Sequence, residues 1–180
     1  ISVPGATKVY DGSNAINLSG PASVTGVINL DDVQISAGNV TGFVDKNVGT
    51  NKAVIYNGFA FTGTDASNYS LAANPASTAD ITAKAITVTG ITANNKVYND
   101  STAATLASQT VSGVVSGDVV GLNSTGAAFD NQHVGTGKTV TATGLSLSGT
   151  DAANYSLTST STTTTANVTA KALTLAAVTD

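Results

Sequence analysis

The sequence predicts an all-β chain of two tandem small domains, and three observations carry that prediction. All 11 acidic residues are Asp and all 7 basic residues are Lys, and Cys, Met and Trp are absent. With Glu, Arg and Met missing, the unbranched residues that keep rotamer freedom in a helix are scarce, while Thr, Val, Ser, Gly and Asn fill the chain. Apolar residues alternate with polar ones over short stretches, the pattern of half-buried strands. An internal repeat then divides the 180 residues into two units of about 87.

The repeat rests on four blocks in one order. Thr7-Lys8-Val9-Tyr10-Asp11-Gly12-Ser13 returns as Asn95-Lys96-Val97-Tyr98-Asn99-Asp100-Ser101, 88 residues on. Phe43 and Val48-Gly49-Thr50 return as Phe129 and Val134-Gly135-Thr136, 86 residues on. Gly63-Thr64-Asp65-Ala66-Ser67-Asn68-Tyr69-Ser70-Leu71 returns as Gly149-Thr150-Asp151-Ala152-Ala153-Asn154-Tyr155-Ser156-Leu157, again at 86, and Ile81-Thr82-Ala83-Lys84-Ala85 as Val168-Thr169-Ala170-Lys171-Ala172, at 87. A unit this long exceeds a solenoid coil and can close a modest core of its own. The expected domains are 1–85 and 86–172, with 173–180 opening the junction to a further repeat.

Each element follows from its residues. Val54 and Tyr56 alternate inward, then Phe59 and Phe61 continue on the other phase after Gly58; Val140, Ala142, Leu145 and Leu147 do the same around Gly144. A glycine at a phase slip predicts a β-bulge. Shorter strands are predicted at 22–28, 33–36, 110–115 and 119–123, separated by Gly, Asn and Asp turns. Ile81, Ala83 and Ala85 share one phase and Ile86 and Val88 the other, so one strand leaves the first core and enters the second. Lys84 and Lys171 fall on the outward phase. No Pro-rich or Gly/Ser-rich linker interrupts this junction, which predicts a short, stiff connection. The polar run 158–165 reads as a variable loop or edge strand. Thr64 or Asp65, and Thr150 or Asp151, are placed to cap one helical turn. The predicted architecture is a small β-sandwich of Ig-like type in each unit, arranged end to end, with a β-grasp-like unit carrying one short helical turn as the alternative.

Composition also narrows the chemistry. Without Cys there are no disulfides, no thiolate catalysis and no Cys-type zinc sites. His133 aligns with Asn47, so the repeat does not require an imidazole there, and no carboxylate pair recurs as a hydrolase would need. A net charge of −4 without Arg is the wrong footprint for nucleic acid, and no apolar run approaches the ~18 residues of a membrane span. The expectation is a chain that is not an enzyme, takes no cofactor and does not insert in a membrane.

Lys8-Val9-Tyr10-Asp11-Gly12, followed by the Gly63–Leu71 block and by Ile81-Thr82-Ala83-Lys84-Ala85, resembles the YDG-type and mostly-β glycine-rich repeats of very large, filamentous haemagglutinin-like bacterial surface adhesins. The resemblance implies extracellular stalk or spacer modules whose partners are neighbouring repeats of the same chain, with host glycan or protein engaged elsewhere in the parent. A rod of two such units would measure roughly 65 to 70 Å, taking strands of ~10 residues at ~3.3 Å each. The second reading is a module that itself binds glycan or a matrix protein, with Tyr10, Asp11, Tyr98 and Asp100 as contacts. Asp65, Asn68 and Tyr69, with Asp151, Asn154 and Tyr155, read as a structural motif of caps and anchors; Asp65 and Asp151 are the weak candidates for a metal. A stalk predicts Phe43, Phe59, Phe61, Phe129, Tyr69 and Tyr155 mostly buried, whereas a binding module predicts exposed tyrosines. Asp31-Asp32 and Gly117-Asp118 read as solvated turns.

Overall fold

β-branched and aromatic residues line the segments that pair, and the helical structure among the described residues is two single 3₁₀ turns, Ala66–Asn68 and Ala152–Asn154. The computed structural model describes residues 6–16, 22–36, 39–71, 73 and 76–176. The chain divides into two compact units, Ile1–Lys84 and Ala85–Asp180. The all-β class stands.

The first unit holds β1 (Lys8–Val9), β2 (Gln34–Ile35), β3 (Asn39–Phe43), β4 (Gly49–Asn57), β5 (Phe61–Thr62) and β6 (Ser77–Thr82). Its main sheet has the order β1-β6-β4-β3, and β2 and β5 form a separate pair. β4 runs antiparallel to β3 and β6, but β1 and β6 run parallel, with Lys8 opposite Ile81 and Val9 opposite Thr82.

The second unit takes in β7 (Lys84–Val88), β8 (Thr92–Ala93), β9 (Lys96–Val97), β10 (Leu106–Ser108), β11 (Val111–Ser112), β12 (Gly121–Asn123), β13 (Gly126–Phe129), β14 (Gly135–Thr143), β15 (Ser146–Ser148), β16 (Tyr155–Leu157) and β17 (Ser161–Thr169). The sheet β13-β14-β17-β9 repeats the plan of the first unit, including a parallel β9/β17 pair that sets Lys96 against Val168 and Val97 against Thr169. β11-β7-β16, β10-β8 and β12-β15 complete it.

The cores lie where the alternation put them. Val54, Tyr56 and Phe59, and Val140, Ala142 and Leu145, are buried, joined by Phe43 and Ile81 in the first unit and by Phe129 and Val168 in the second. The second core forms two clusters, one of Phe129, Val140, Ala166 and Val168 and one of Leu122, Ala142 and Leu145. None of the nine aromatic residues is exposed, although Phe61, Tyr69 and Tyr98 are only half-buried.

Local expectations fare unevenly. Gly58 and Gly144, with φ of 74° and 62°, do not bulge a continuous strand; they end β4 and β14, and the next strands, β5 and β15, pair in different sheets. The phase slip is a change of sheet. The register shifts of β4 and β14 come earlier, between Gly49 and Lys52 and between Gly135 and Lys138, where Asn51 and Gly137 take positive φ. Segment 22–28 is not a strand: only Ser23 makes a bridge, and Gly26, at φ 86°, interrupts the alternation. The run 158–165 contributes residues 161–165 to β17, hydrogen-bonded to β14. At the junction the phase changes at Ala83, not Ala85: Lys84, Ile86 and Val88 share the inner face of β7 while Ala85 is exposed. Lys84 is therefore half-buried on the inward phase, whereas Lys171 is exposed as expected.

Candidate functional site: the lysine-held Tyr-Asp-Gly loop

The loop after β1 carries the repeat's most distinctive residues, and its lysine organises it. Lys8 Nζ sits 2.7 Å from Asp11 Oδ1 and donates to the carbonyls of Ser13 (3.0 Å) and Ala15 (2.8 Å). Asp11 also accepts the Ser13 N–H at 2.9 Å, closing an Asx turn. The Lys8 ammonium holds the Asp11 carboxyl below the usual carboxylate range. Tyr10 donates its backbone N–H to Thr82 at 2.9 Å, and four residues later the Asn14 carbonyl accepts the Phe43 N–H at 2.8 Å. The loop thus spans from β6 to the opposite edge strand, β3, and seals the core beneath it.

In the second unit Lys96 Nζ donates to Asn99 Oδ1 (2.9 Å), to the Ala103 carbonyl (3.1 Å) and to the Ser101 carbonyl. Asn99 does the work of Asp11 without charge, so the motif needs an acceptor oxygen at that position and not a carboxylate. Asp100 takes the place of Gly12 in left-handed backbone, φ 60° against 82°, and its carboxylate accepts the Tyr98 hydroxyl at 3.1 Å. That hydrogen bond raises the Tyr98 phenol above its ordinary value.

The candidate contacts separate on this geometry. Tyr10, 1% exposed, is a core residue and presents no ring to a ligand, so its burial corrects the reading of it as a contact. Asp11 is exposed but its carboxylate is engaged by Lys8, while in the second unit Tyr98 is half-buried and Asp100 exposed. A shallow depression beside the first loop is lined by Ala6, Thr7, Lys8, Asp11, Ala15 and Ile16.

The second recurring block is a tertiary latch. Asp65 and Asp151 precede the 3₁₀ turns but make no side-chain cap. Their carboxylates instead accept backbone N–H groups from far along the chain, Asp32 and Val119, each at 2.9 Å, with the Thr64 and Thr150 hydroxyls at 3.3 and 3.2 Å. The capping expectation fails because the more distant donors win the carboxylates. Tyr69 and Tyr155 insert their hydroxyls beside this contact. Each donates to a carboxylate at 2.6 Å, Asp31 or Asp118, and accepts a backbone N–H, from Ile28 at 2.9 Å or Val115 at 3.0 Å. Asp31 and Asp118 are thus buttresses and not merely solvated turn residues. Gly63 and Gly149, at φ 111° and 106°, let the block come close: a Cβ there would stand 2.2 Å from the Asp32 carbonyl oxygen and 2.3 Å from that of Val119. Asn154 is buried, while its counterpart Asn68 is exposed.

Among the described residues no group of three or more His, Asp or Glu side chains is placed to hold a metal ion, and Asp65 and Asp151 direct their oxygens at N–H and hydroxyl donors. His133 is exposed in the turn before β14. No helix of the described residues is long and apolar enough to cross a membrane.

No curated protein and no solved structure matches this chain. A family model described as YDG domain matches residues 1–78 and again 82–166. These two stretches hold both lysine-held loops and both tyrosine latches, and the chain belongs to the YDG domain family, of which it carries two copies in tandem.

Proposed function

We propose that the two units are non-catalytic stalk or spacer modules of a secreted bacterial surface adhesin, extending and presenting a binding region carried elsewhere in the parent protein. The observation that supports this most is where the polar chemistry goes. The side chains that make the YDG motif distinctive hold the chain's own backbone: Lys8 and Lys96 bind loop carbonyls, and Asp65 and Asp151 bind backbone N–H groups. The aromatic residues a lectin platform would expose lie in the cores or half-covered. Few charges and many hydroxyls give a surface that stays soluble without attracting a polyion, and a chain without Cys threads an export pore unhindered by disulfides.

Small-angle X-ray scattering of the chain, with and without a calcium chelator, tests the reading. An elongated particle unchanged by chelation is expected; a compact or chelator-sensitive profile overturns it. A glycan array probed with the same chain separates the binding-module reading, which requires retention that Tyr98→Ala abolishes.

A further inference from the structure

A module that transmits tension is loaded through its ends, and the first and last strands of each main sheet are neighbours here. β1 and β6, and β9 and β17, run parallel. Tension then draws the start of the first strand backward and the end of the last strand forward. In a parallel pair those motions slide the strands past each other, so the bonds between them resist together; an antiparallel terminal hairpin would open one bond at a time.

The contact is reinforced identically in both units. The Tyr10 N–H donates to the Thr82 carbonyl at 2.9 Å and the Thr82 hydroxyl to the Lys8 carbonyl at 3.2 Å; the Tyr98 N–H donates to Thr169 at 2.8 Å and the Thr169 hydroxyl to Lys96 at 3.3 Å. Lys8 and Lys96, which sit within these strands, tie them to the loops that follow. In the second unit the load reaches β9 through β7 and β8, whose pairings lie ahead of it in the chain.

We infer that the parallel pair of each main sheet, with its lysine-held loop, is the force-bearing clamp of each YDG unit. The inference deepens the stalk reading and rests on it for its biological sense, but the clamp is a property of the folded unit and is measured separately.

The test is single-molecule force spectroscopy on the full chain held by its two ends. Lys8→Met with Lys96→Met, or the milder Thr82→Val with Thr169→Val at exposed hydroxyls, should lower the rupture force of both units and raise the unfolding rate extrapolated to zero force on the order of tenfold. Lys52→Met with Lys138→Met removes two lysines outside the clamp whose side chains are likewise mostly covered, and should lower thermal stability while leaving the rupture force near wild type. Equal loss of force in the clamp and control variants overturns the inference, as does rupture of the wild-type chain at the same force as both clamp variants. A strong clamp in a chain that scatters as a compact particle keeps the inference and overturns the stalk; weak rupture in an extended chain does the reverse.

Discussion

The two units solve the same hydrogen-bonding problems with different acceptors. Lys8 binds Asp11 where Lys96 binds Asn99; Lys52 binds Asp45 at 2.7 Å where Lys138 binds Asn131, with Asp130 added at 2.9 Å; and the N–H at the bulge of the long strand is taken by Asp80 in one unit, from Asn51 at 2.8 Å, and by Asn167 in the other, from Gly137 at 2.7 Å. The donors and their places stay fixed while carboxylate gives way to amide three times. Where the charge does persist, at Asp31 and Asp118 and at Asp65 and Asp151, the carboxylate accepts a hydroxyl or a backbone N–H from more than 30 residues away. An amide oxygen serves in place of a carboxylate at the lysine-held loops and at the strand bulge, whereas the tyrosine latch keeps Asp in both copies.

The largest effect should come from the latch, and it should be alike in the two units. Gly63→Ala or Gly149→Ala drives a Cβ into a backbone carbonyl at a φ that only glycine adopts readily. Either is expected to cost about 2 to 4 kcal/mol in its own unit, read as loss of the matching set of amide signals at lower urea. An unequal loss would show that the two latches carry different shares of their units. Tyr69→Phe and Tyr155→Phe come next. Each leaves a carboxylate and a backbone N–H without the hydroxyl that joined them, a loss of about 1 to 3 kcal/mol. Tyr155 is buried and Tyr69 half-exposed, so the second unit should lose more, because water can replace the missing hydroxyl less easily there.

How much of this was legible in the sequence depends on distance along the chain. The inward positions Val54, Tyr56, Phe59, Val140, Ala142 and Leu145 were readable, because alternation is local and both copies show the same slip at glycine. The helical turn was readable from Gly-Thr-Asp-Ala. Its anchorage was not, since Asp65 and Asp151 meet donors 33 and 32 residues away and a short-range cap is the default for Asp before a turn. The Tyr69–Asp31 pair escaped for the same reason. A signal was present: Asp31 and Asp118 superpose at a shift of 87, one from the shift that aligns the tyrosines, so the pair recurs as a unit. Burial of Tyr10 was masked by its neighbours Asp11 and Gly12, which mark a turn whatever the ring does. The parallel strand pair left no trace, being two residues long in each unit.

The smallest effect is the most direct test of the Asp/Asn contrast. Asp11 and Asp45 in the first unit, and Asp130 in the second, are held below the usual carboxylate range, chiefly by hydrogen bonds from Lys8, Lys52 and Lys138. A carboxylate whose folded value is depressed contributes stability that is present above its unfolded value, ~3.9 for Asp, and is lost as pH falls through the folded value. The first unit has two such groups and the second one, so acid should loosen the first unit more. All three are solvent-facing, so water screens them and the difference is small. Asp11→Asn with Asp45→Asn gives the first unit the amides of the second. Neutral stability should barely move, since Asn99 shows that an amide oxygen satisfies the lysine, while the acid midpoint of the first unit should shift to lower pH, seen by following amide signals of each unit from pH 6 to 2. If instead the double variant unfolds at neutral pH, the carboxylates hold the first unit's loops by charge, and the equivalence of the two copies at these positions fails.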